Sequence, residues 1–413
     1  MDANETARDA LAERLLDACV AGLDLLHVYV GDQLGLYHVL AAHGPLTAAQ
    51  LAGRCAIHPR YAQEWLHQQA VAGILTCGDE PDEQQRRFSM PPGHDEVLVN
   101  DASLAFMAPL GEGFLGVARA LPQVLAAFTT GDGVAFSAYG KELRSFIARI
   151  NRPMFTNLLA EDWFPRVPGL AERLSAQPAA RVADIGCGSG WSSIAIALGF
   201  PLVHVTGLDL DDASIADAAA NAKTAGVADR VSFRVADGAD PQLPGGFDLV
   251  CAFETIHDMC DPVAALRAMR SLRAPAGTVL VADERVADTF TTDVEAGERF
   301  QWGWSALHCL PTALSAPPAA GTGTLIRTPA LRRYAQAAGF AGVEVLPIEN
   351  DFWRFYASPA DQAHAGGESA NRRRPGTTPR SPASGTPGTT SSTWSSVTRS
   401  PPRHCCPSSS RAR

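Results

Sequence analysis

Lysine is nearly missing from this chain: of 413 residues only Lys141 and Lys223 are lysine, and acids outnumber bases by 44 to 34, for a formal net charge of -10. A protein that grips nucleic acid through its phosphates needs the opposite balance. Long apolar runs are wanting too, and none reaches the ~20 residues that a membrane span requires. The nine cysteines are scattered without a CxxC pair, so neither a disulfide framework nor a metal site is indicated. The N-terminus is polar and acidic, and a cytoplasmic location is expected. What the chain does hold is apolar side chain, 46% of it, enough at this length for two or three cores.

The most informative stretch is Asp184-Ile185-Gly186-Cys187-Gly188-Ser189-Gly190, set between a short apolar run, Arg181 to Ala183, and a helix-like one, Trp191 to Leu198. A strand, a glycine turn and a helix bring backbone amides close to a bound nucleotide with no side chain in the way. The glycines recur at every second position, and Trp191 stands where a dinucleotide fingerprint wants its third glycine. Asp184, ending the strand, would repel a pyrophosphate but suits a ligand carrying an ammonium and a sulfonium. Residues 181 to 198 resemble motif I of the class I S-adenosylmethionine (SAM)-dependent methyltransferases, whose fold is a seven-stranded Rossmann-like sheet.

The following strands agree with that resemblance. His204 to Asp209 ends in a carboxylate about 20 residues past the turn, where an acid accepts hydrogen bonds from ribose hydroxyls. Arg230 to Asp237, Phe247 to Glu254 and Gly277 to Glu284 continue an alternation of strands with helices that marks a parallel sheet. The resemblance implies a cofactor site of Asp184, Gly186, Cys187, Gly188 and Gly190, then Asp209 and Leu210, then Asp237 and Gly238, then Glu254, with Asp237 facing the adenine amino group. It also implies a base. Glu254-Thr255-Ile256-His257-Asp258-Met259 is similar to the His-Asp pair of small-molecule O-methyltransferases, in which the histidine deprotonates a hydroxyl; His257 would be that base and Asp258 its orienting partner. Here Met259, Cys260 and Asp261 follow in place of the family's Trp and Ser/Asp pair.

Upstream the pattern is helical. Leu11, Leu15, Leu16, Val20, Leu23 and Leu26 keep helical spacing, Thr47 with Gln50 signals an N-cap, and Pro59 to Ile74 predicts a helix with Ala62, Trp65 and Leu66 on one face. Arg86 to Pro91 reads as the wing of a winged helix. Residues 45–100 carry four arginines (54, 60, 86 and 87) and no lysine against seven acids, so nucleic acid is not the expected partner. In small-molecule methyltransferases such a domain serves dimerisation, and a homodimer is expected.

The expected fold class is α/β: a Rossmann-like, seven-stranded, mostly parallel sheet with an N-terminal all-helical winged-helix domain and a helical cap. The expected divisions are a winged-helix and dimerisation domain over 1–100, a helical linker and substrate cap over 101–178, and a SAM-binding methyltransferase domain over 179–357. Cap helices are expected over Leu104 to Phe128, Gly140 to Leu159 and Trp163 to Leu174, and 286–328 is a lid insertion too long for a plain connection. Trp163, Trp302 and Trp304 are candidate substrate contacts and favour an apolar or aromatic acceptor. Residues 358–413 turn abruptly to Ser, Thr, Pro, Arg and Gly, which predicts a disordered tail. Its composition is that of a GC-rich gene read out of frame, a hypothesis that an intact frame at the gene's 3′ end would overturn. The expected function is methyl transfer from SAM to a hydroxyl or phenol oxygen. N- or C-methylation, or a ligand-responsive DNA-binding regulator, are the alternatives.

Overall fold

The computed structural model describes residues 3–358, and the tail expected over 358–413 lies, after Ser358, outside the described residues. A 31-residue helix, Ala3–Gln33, leads into helices Leu36–His43, Ala48–Cys55 and Pro59–Val71. The third forms where the capping signal places it. Thr47 Oγ1 accepts from the Gln50 amide at 3.3 Å while the Thr47 amide donates to Gln50 Oε1 at 3.0 Å, so two otherwise orphaned donors are satisfied together. The wing is a short antiparallel pair, β1 (Thr76–Cys77) and β2 (Phe88–Ser89). Tyr37, Leu51, Trp65, Leu66 and Phe88 form the core of this domain.

The second part is a seven-stranded sheet: β3 (Arg181–Ile185), β4 (His204–Asp209), β5 (Val231–Val235), β6 (Phe247–Phe253), β7 (Arg273–Glu284), β8 (Glu344–Val345) and β9 (Trp353–Ser358). Their order is β5-β4-β3-β6-β7-β9-β8, and β9 alone runs antiparallel to its neighbours. Helices cover both faces, which is why the central strands read as unbroken apolar runs. Along β6, Leu249, Cys251 and Phe253 enter one core and Val250 and Ala252 the other, the two-residue period of a strand. The strand order reverses direction between β3 and β6, and at such a switch point the crevice past the carboxyl ends is where ligands bind.

Prolines account for the elements that differ from expectation. The cap helix begins at Leu110 and not Leu104, because Pro109 bars a helical conformation from the residue before it. Pro165, Pro168 and Gly169 break the helix expected over Trp163 to Leu174, leaving Leu170–Ser175. The strand expected across 343–348 shortens to Glu344–Val345, with one further bond from the Leu346 amide to the Phe355 carbonyl at 2.9 Å before Pro347.

Two helices widen into π turns beside a proline. Gly140–Met154, with Pro153 inside it, runs on into Phe155–Trp163; in the lid, Ala296–Trp304 runs on through Ser305–Cys309 to Pro311. Pro311 has no N–H to offer the carbonyl of Leu307, and that carbonyl accepts instead from the Tyr139 hydroxyl at 2.8 Å. Lid and cap are thereby fastened together, with a further bond from the Val134 amide to the Pro311 carbonyl at 2.9 Å. Among the described residues, no helix is long and apolar enough to cross a membrane.

Candidate active site

Two cavities adjoin past the carboxyl ends of β3, β4 and β6. The larger, about 600 Å³, is lined by Gly186, Cys187, Gly188, Asp209, Leu210, Asp237, Gly238 and Glu254, so eight of the ten expected cofactor residues meet in it. Gly186 holds φ 70°, and a Cβ there would strike the Thr255 side chain. Gly188 also has positive φ, at 50°, yet a Cβ on it would meet nothing within 4 Å, so its bare Cα borders open cavity. This is the close approach that glycine permits.

Asp209 binds this turn. Its Oδ2 accepts from the Gly188 amide at 2.8 Å and its Oδ1 from the Asp211 amide at 2.9 Å, and each oxygen keeps a lone pair for a ribose hydroxyl. Burial pushes its carboxyl above the ordinary value, and the amide bonds only partly offset this. Asp237 accepts from the Ala239 amide at 2.8 Å, closing the turn that places it on the wall.

The two remaining residues of the expected set act from behind. Asp184 is buried and lines neither cavity. Its Oδ2 accepts from the hydroxyls of Ser192 and Ser193, each at 2.6 Å, which ties the start of helix Trp191–Gly199 to the end of β3. Gly190, φ 80°, caps that helix where a Cβ would press on Phe233 and Ala218. Both shape the loop without touching the space a ligand would fill.

The smaller cavity, about 310 Å³, lies between the cap, the lid and β6 and β7. Its walls are apolar, including Phe146, Ile147, Met154, Phe300 and Trp304, with Trp304 stacked on Phe146 at 5.0 Å. Of the three candidate tryptophans, only Trp304 lines it. Trp163 is wholly buried among Phe155, Trp353 and Phe355, and Trp302 lies against Phe290 and Arg327 outside both cavities. Helical spacing could not separate these fates, because the π turn rotates Trp163 into the sheet's core.

Asn151, Glu254 and Asp258 line both cavities. Glu254 follows β6 with φ 53°, a conformation that costs a non-glycine residue roughly 1–3 kcal/mol and persists where surroundings enforce it. The Asn151 amide donates to its Oε2. Glu284, at the end of β7, is buried beside it and accepts from Gln301 at 2.5 Å. Burial first, and then the charge of Glu254, raise the Glu284 carboxyl well above its ordinary range.

His257 is buried, and its surroundings differ from expectation. Nδ1 lies 2.6 Å from Asp283 Oδ1, while Nε2 lies 3.3 Å from Asp258 Oδ1. The orienting partner is therefore Asp283, at the end of β7, a residue the linear motif does not include. Burial pulls the imidazole pKa down, but the two carboxylates outweigh it and hold it well above the ordinary value. His308, on the lid's π turn, also lines the smaller cavity. Burial lowers its pKa, and its Nε2 has no hydrogen-bond partner among the described residues. Cys309 follows, its thiol pushed up to about 12 by burial and then by Asp258. The sequence did carry a signal for these residues, a His-Cys pair inside an overlong insertion.

Comparison with known proteins agrees with this geometry. Residues 176–316 match the model of a methyltransferase domain, and residues 21–100 that of an Rv2258c-like winged HTH domain. The ubiquinone biosynthesis O-methyltransferase of Pseudomonas aeruginosa is 34% identical over 127 residues, 30% of this chain and 50% of that protein. Its counterpart in Xanthomonas campestris is 38% identical over 109 residues, 26% of this chain and 44% of that one. The chain thus spans half or less of the length of these curated relatives. Among solved structures, the mitomycin 7-O-methyltransferase MmcR is similar over 86% of this chain and 100% of its own, with TM-score 0.62 and 20% identity. Human N-acetylserotonin methyltransferase, solved with SAM, is similar over 84% and 97%, with TM-score 0.63 and 16% identity. Residues 176–316 are therefore a SAM-dependent methyltransferase domain, carried behind an N-terminal winged helix-turn-helix domain.

Proposed function

We propose that the protein methylates an oxygen of a small, largely apolar acceptor. The observation that carries this reading is the pair of adjoining cavities, one bordered by the bare glycine turn and Asp209, the other apolar with a polar floor, meeting at Asn151, Glu254 and Asp258. When bound, SAM supplies an electrophilic methyl on a sulfonium. Asp209 and Asp237 would hold its ribose and adenine, and the carboxylates at the junction would face its cationic end. Phe146 and Trp304 would hold the acceptor's ring or chain and exclude water, so that much of the acceleration comes from positioning. The acceptor oxygen forms its bond to the methyl carbon as the carbon–sulfur bond breaks, and its proton passes to a base.

We assign that base to His308. Both ring nitrogens of His257 face carboxylates, whereas Nε2 of His308 is unpartnered among the described residues. His308→Gln should lower the rate of methyl transfer by roughly 10²–10⁴-fold while leaving S-adenosylhomocysteine (SAH) binding intact. Single-turnover assays on phenolic acceptors, read as the mass gain of one methylene, would check this. A full rate in the variant would remove the assignment. Failure of every hydroxyl acceptor, with amines or carbon acids methylated, would turn the reading to N- or C-transfer.

The winged helix fits dimerisation better than DNA. Arg60 pairs with Glu64, Arg86 donates to the Glu80 carbonyl and Arg87 to the Pro45 carbonyl, so three of this region's four arginines are engaged internally. Helix Ala3–Gln33 exposes Leu11, Leu15, Leu16, Val20 and Leu23, each more than half accessible. Leu16, Leu23 and Val30 recur every seventh residue, the spacing of a helix that packs along another, and a second copy of this chain is the proposed occupant. Leu16→Glu with Leu23→Glu is expected to yield a folded monomer by sedimentation equilibrium. A wild-type monomer would sink the dimer.

A further inference from the structure

The floor of the acceptor cavity has the makings of a metal centre. Nε2 or Nδ1 of His257, a carboxylate oxygen of Asp258 and the Cys309 sulfur lie within 4.8 Å of one another. Imidazole, carboxylate and thiolate are a zinc donor set, and in tetrahedral coordination such atoms stand roughly 3.3–3.8 Å apart, so closing on an ion needs side-chain shifts of about 1 Å. Sequence spacing hid the set, because Cys309 comes from the lid, 51 residues past Asp258.

Three further observations point to a cation. His257 is held as metal-ligating histidines are: Nδ1 is engaged at 2.6 Å by buried Asp283, which fixes the ring and turns Nε2 toward Asp258. Asp258 Oδ1 is buried and makes no hydrogen bond among the described residues, its 3.3 Å approach to His257 being an ion-pair distance without hydrogen-bond geometry. Thr324 Oγ1 and His308 Nε2, lining the same cavity, are likewise buried without partners. Such orphaned polar atoms are costly unless something joins them.

We propose that His257, Asp258 and Cys309 bind one zinc or similar divalent ion, with the fourth position open to the acceptor cavity. Binding would release the Cys309 thiol proton and the His257 Nε2 proton to solvent, leaving two anionic ligands that neutralise the ion and a neutral imidazole whose Nδ1–H donates to Asp283. The open position would hold water or the acceptor's oxygen, as in catalytic zinc sites. The proposal concerns metal binding and stands apart from the identity of the methyl acceptor.

The test uses the full chain, stripped with chelator, then dialysed against zinc or titrated with cobalt(II), with SAH titration as a separate readout of the cofactor site. The expected result is one equivalent of zinc retained per chain and, with cobalt, a thiolate-to-metal charge-transfer band that vanishes in Cys309→Ser. Asp283→Asn should weaken zinc binding about 10–100-fold and leave SAH binding in place. Asp258→Asn, which removes a ligand's charge without changing its shape, supplies a second variant should Asp283→Asn fail to fold. Substoichiometric zinc on folded protein that still binds SAH would overturn the proposal, as would a cobalt band that survives Cys309→Ser. Loss of SAH binding would speak against the cofactor reading and not against the metal.

Discussion

Asp209→Ala is expected to weaken SAH binding by about 10²–10⁴-fold. Two charge-assisted bonds to ribose hydroxyls are worth roughly 1.5–3 kcal/mol each, and every ~1.4 kcal/mol is tenfold in affinity. The substitution also frees the Gly188 amide, which Asp209 holds at 2.8 Å, so the glycine turn loses its anchor with the ligand. The same carboxylate should make binding depend on pH. Because burial raises its pKa, it takes up a proton above the ordinary ~3.9, and SAH affinity should fall as pH drops through that raised value. Asp209→Asn should bind weakly and lack that pH dependence. Calorimetric titration of wild type and both variants at several pH values checks the two effects together. Affinity in Asp209→Ala within tenfold of wild type would remove Asp209 from the cofactor site.

Trp163 and Trp304 should respond in opposite ways. Trp163→Ala empties a site enclosed by Phe155, Trp353 and Phe355 and should cost roughly 3–5 kcal/mol of stability. That is a large share of the ~5–15 kcal/mol typical of a folded protein. Trp163→Phe should cost far less, since among the described residues the indole Nε1 has no hydrogen-bond partner to lose. Trp304→Ala opens the acceptor cavity beside Phe146; it should raise KM for an aromatic acceptor while changing the urea midpoint little. Denaturation curves paired with kinetics would decide. If Trp163→Ala were stable but inactive, the tryptophan would belong to the site after all.

The contrast shows what could be read in advance. The order of strands, the glycine turn and the acids at strand ends are set by local periodicity and turn chemistry, and the cofactor cavity gathers eight of its ten expected residues for that reason. The acceptor side was less legible because its residues converge from separate elements. Asp283 reaches His257 only because β6 and β7 pair in parallel, with Phe253 beside Ala282. His308 and Cys309 arrive on a lid helix whose π turn no apolar period announces. Asp184 sat at the expected strand end and still plays another part, since two serines of the next helix take up its charge.

The ion pair between Arg144 and Asp211, 2.8 Å apart and mostly shielded, has a kinetic side. Both residues border the larger cavity, one from the cap helix Gly140–Met154 and the other just beyond β4. The pair joins these two walls of the cavity, and exchange of a bound cofactor is expected to require that it part. A pair this well shielded is screened only weakly by salt, and residence time would be governed by the rate of that parting. Turnover on a fast-reacting acceptor would then be paced by departure of the demethylated product and not by the transfer itself.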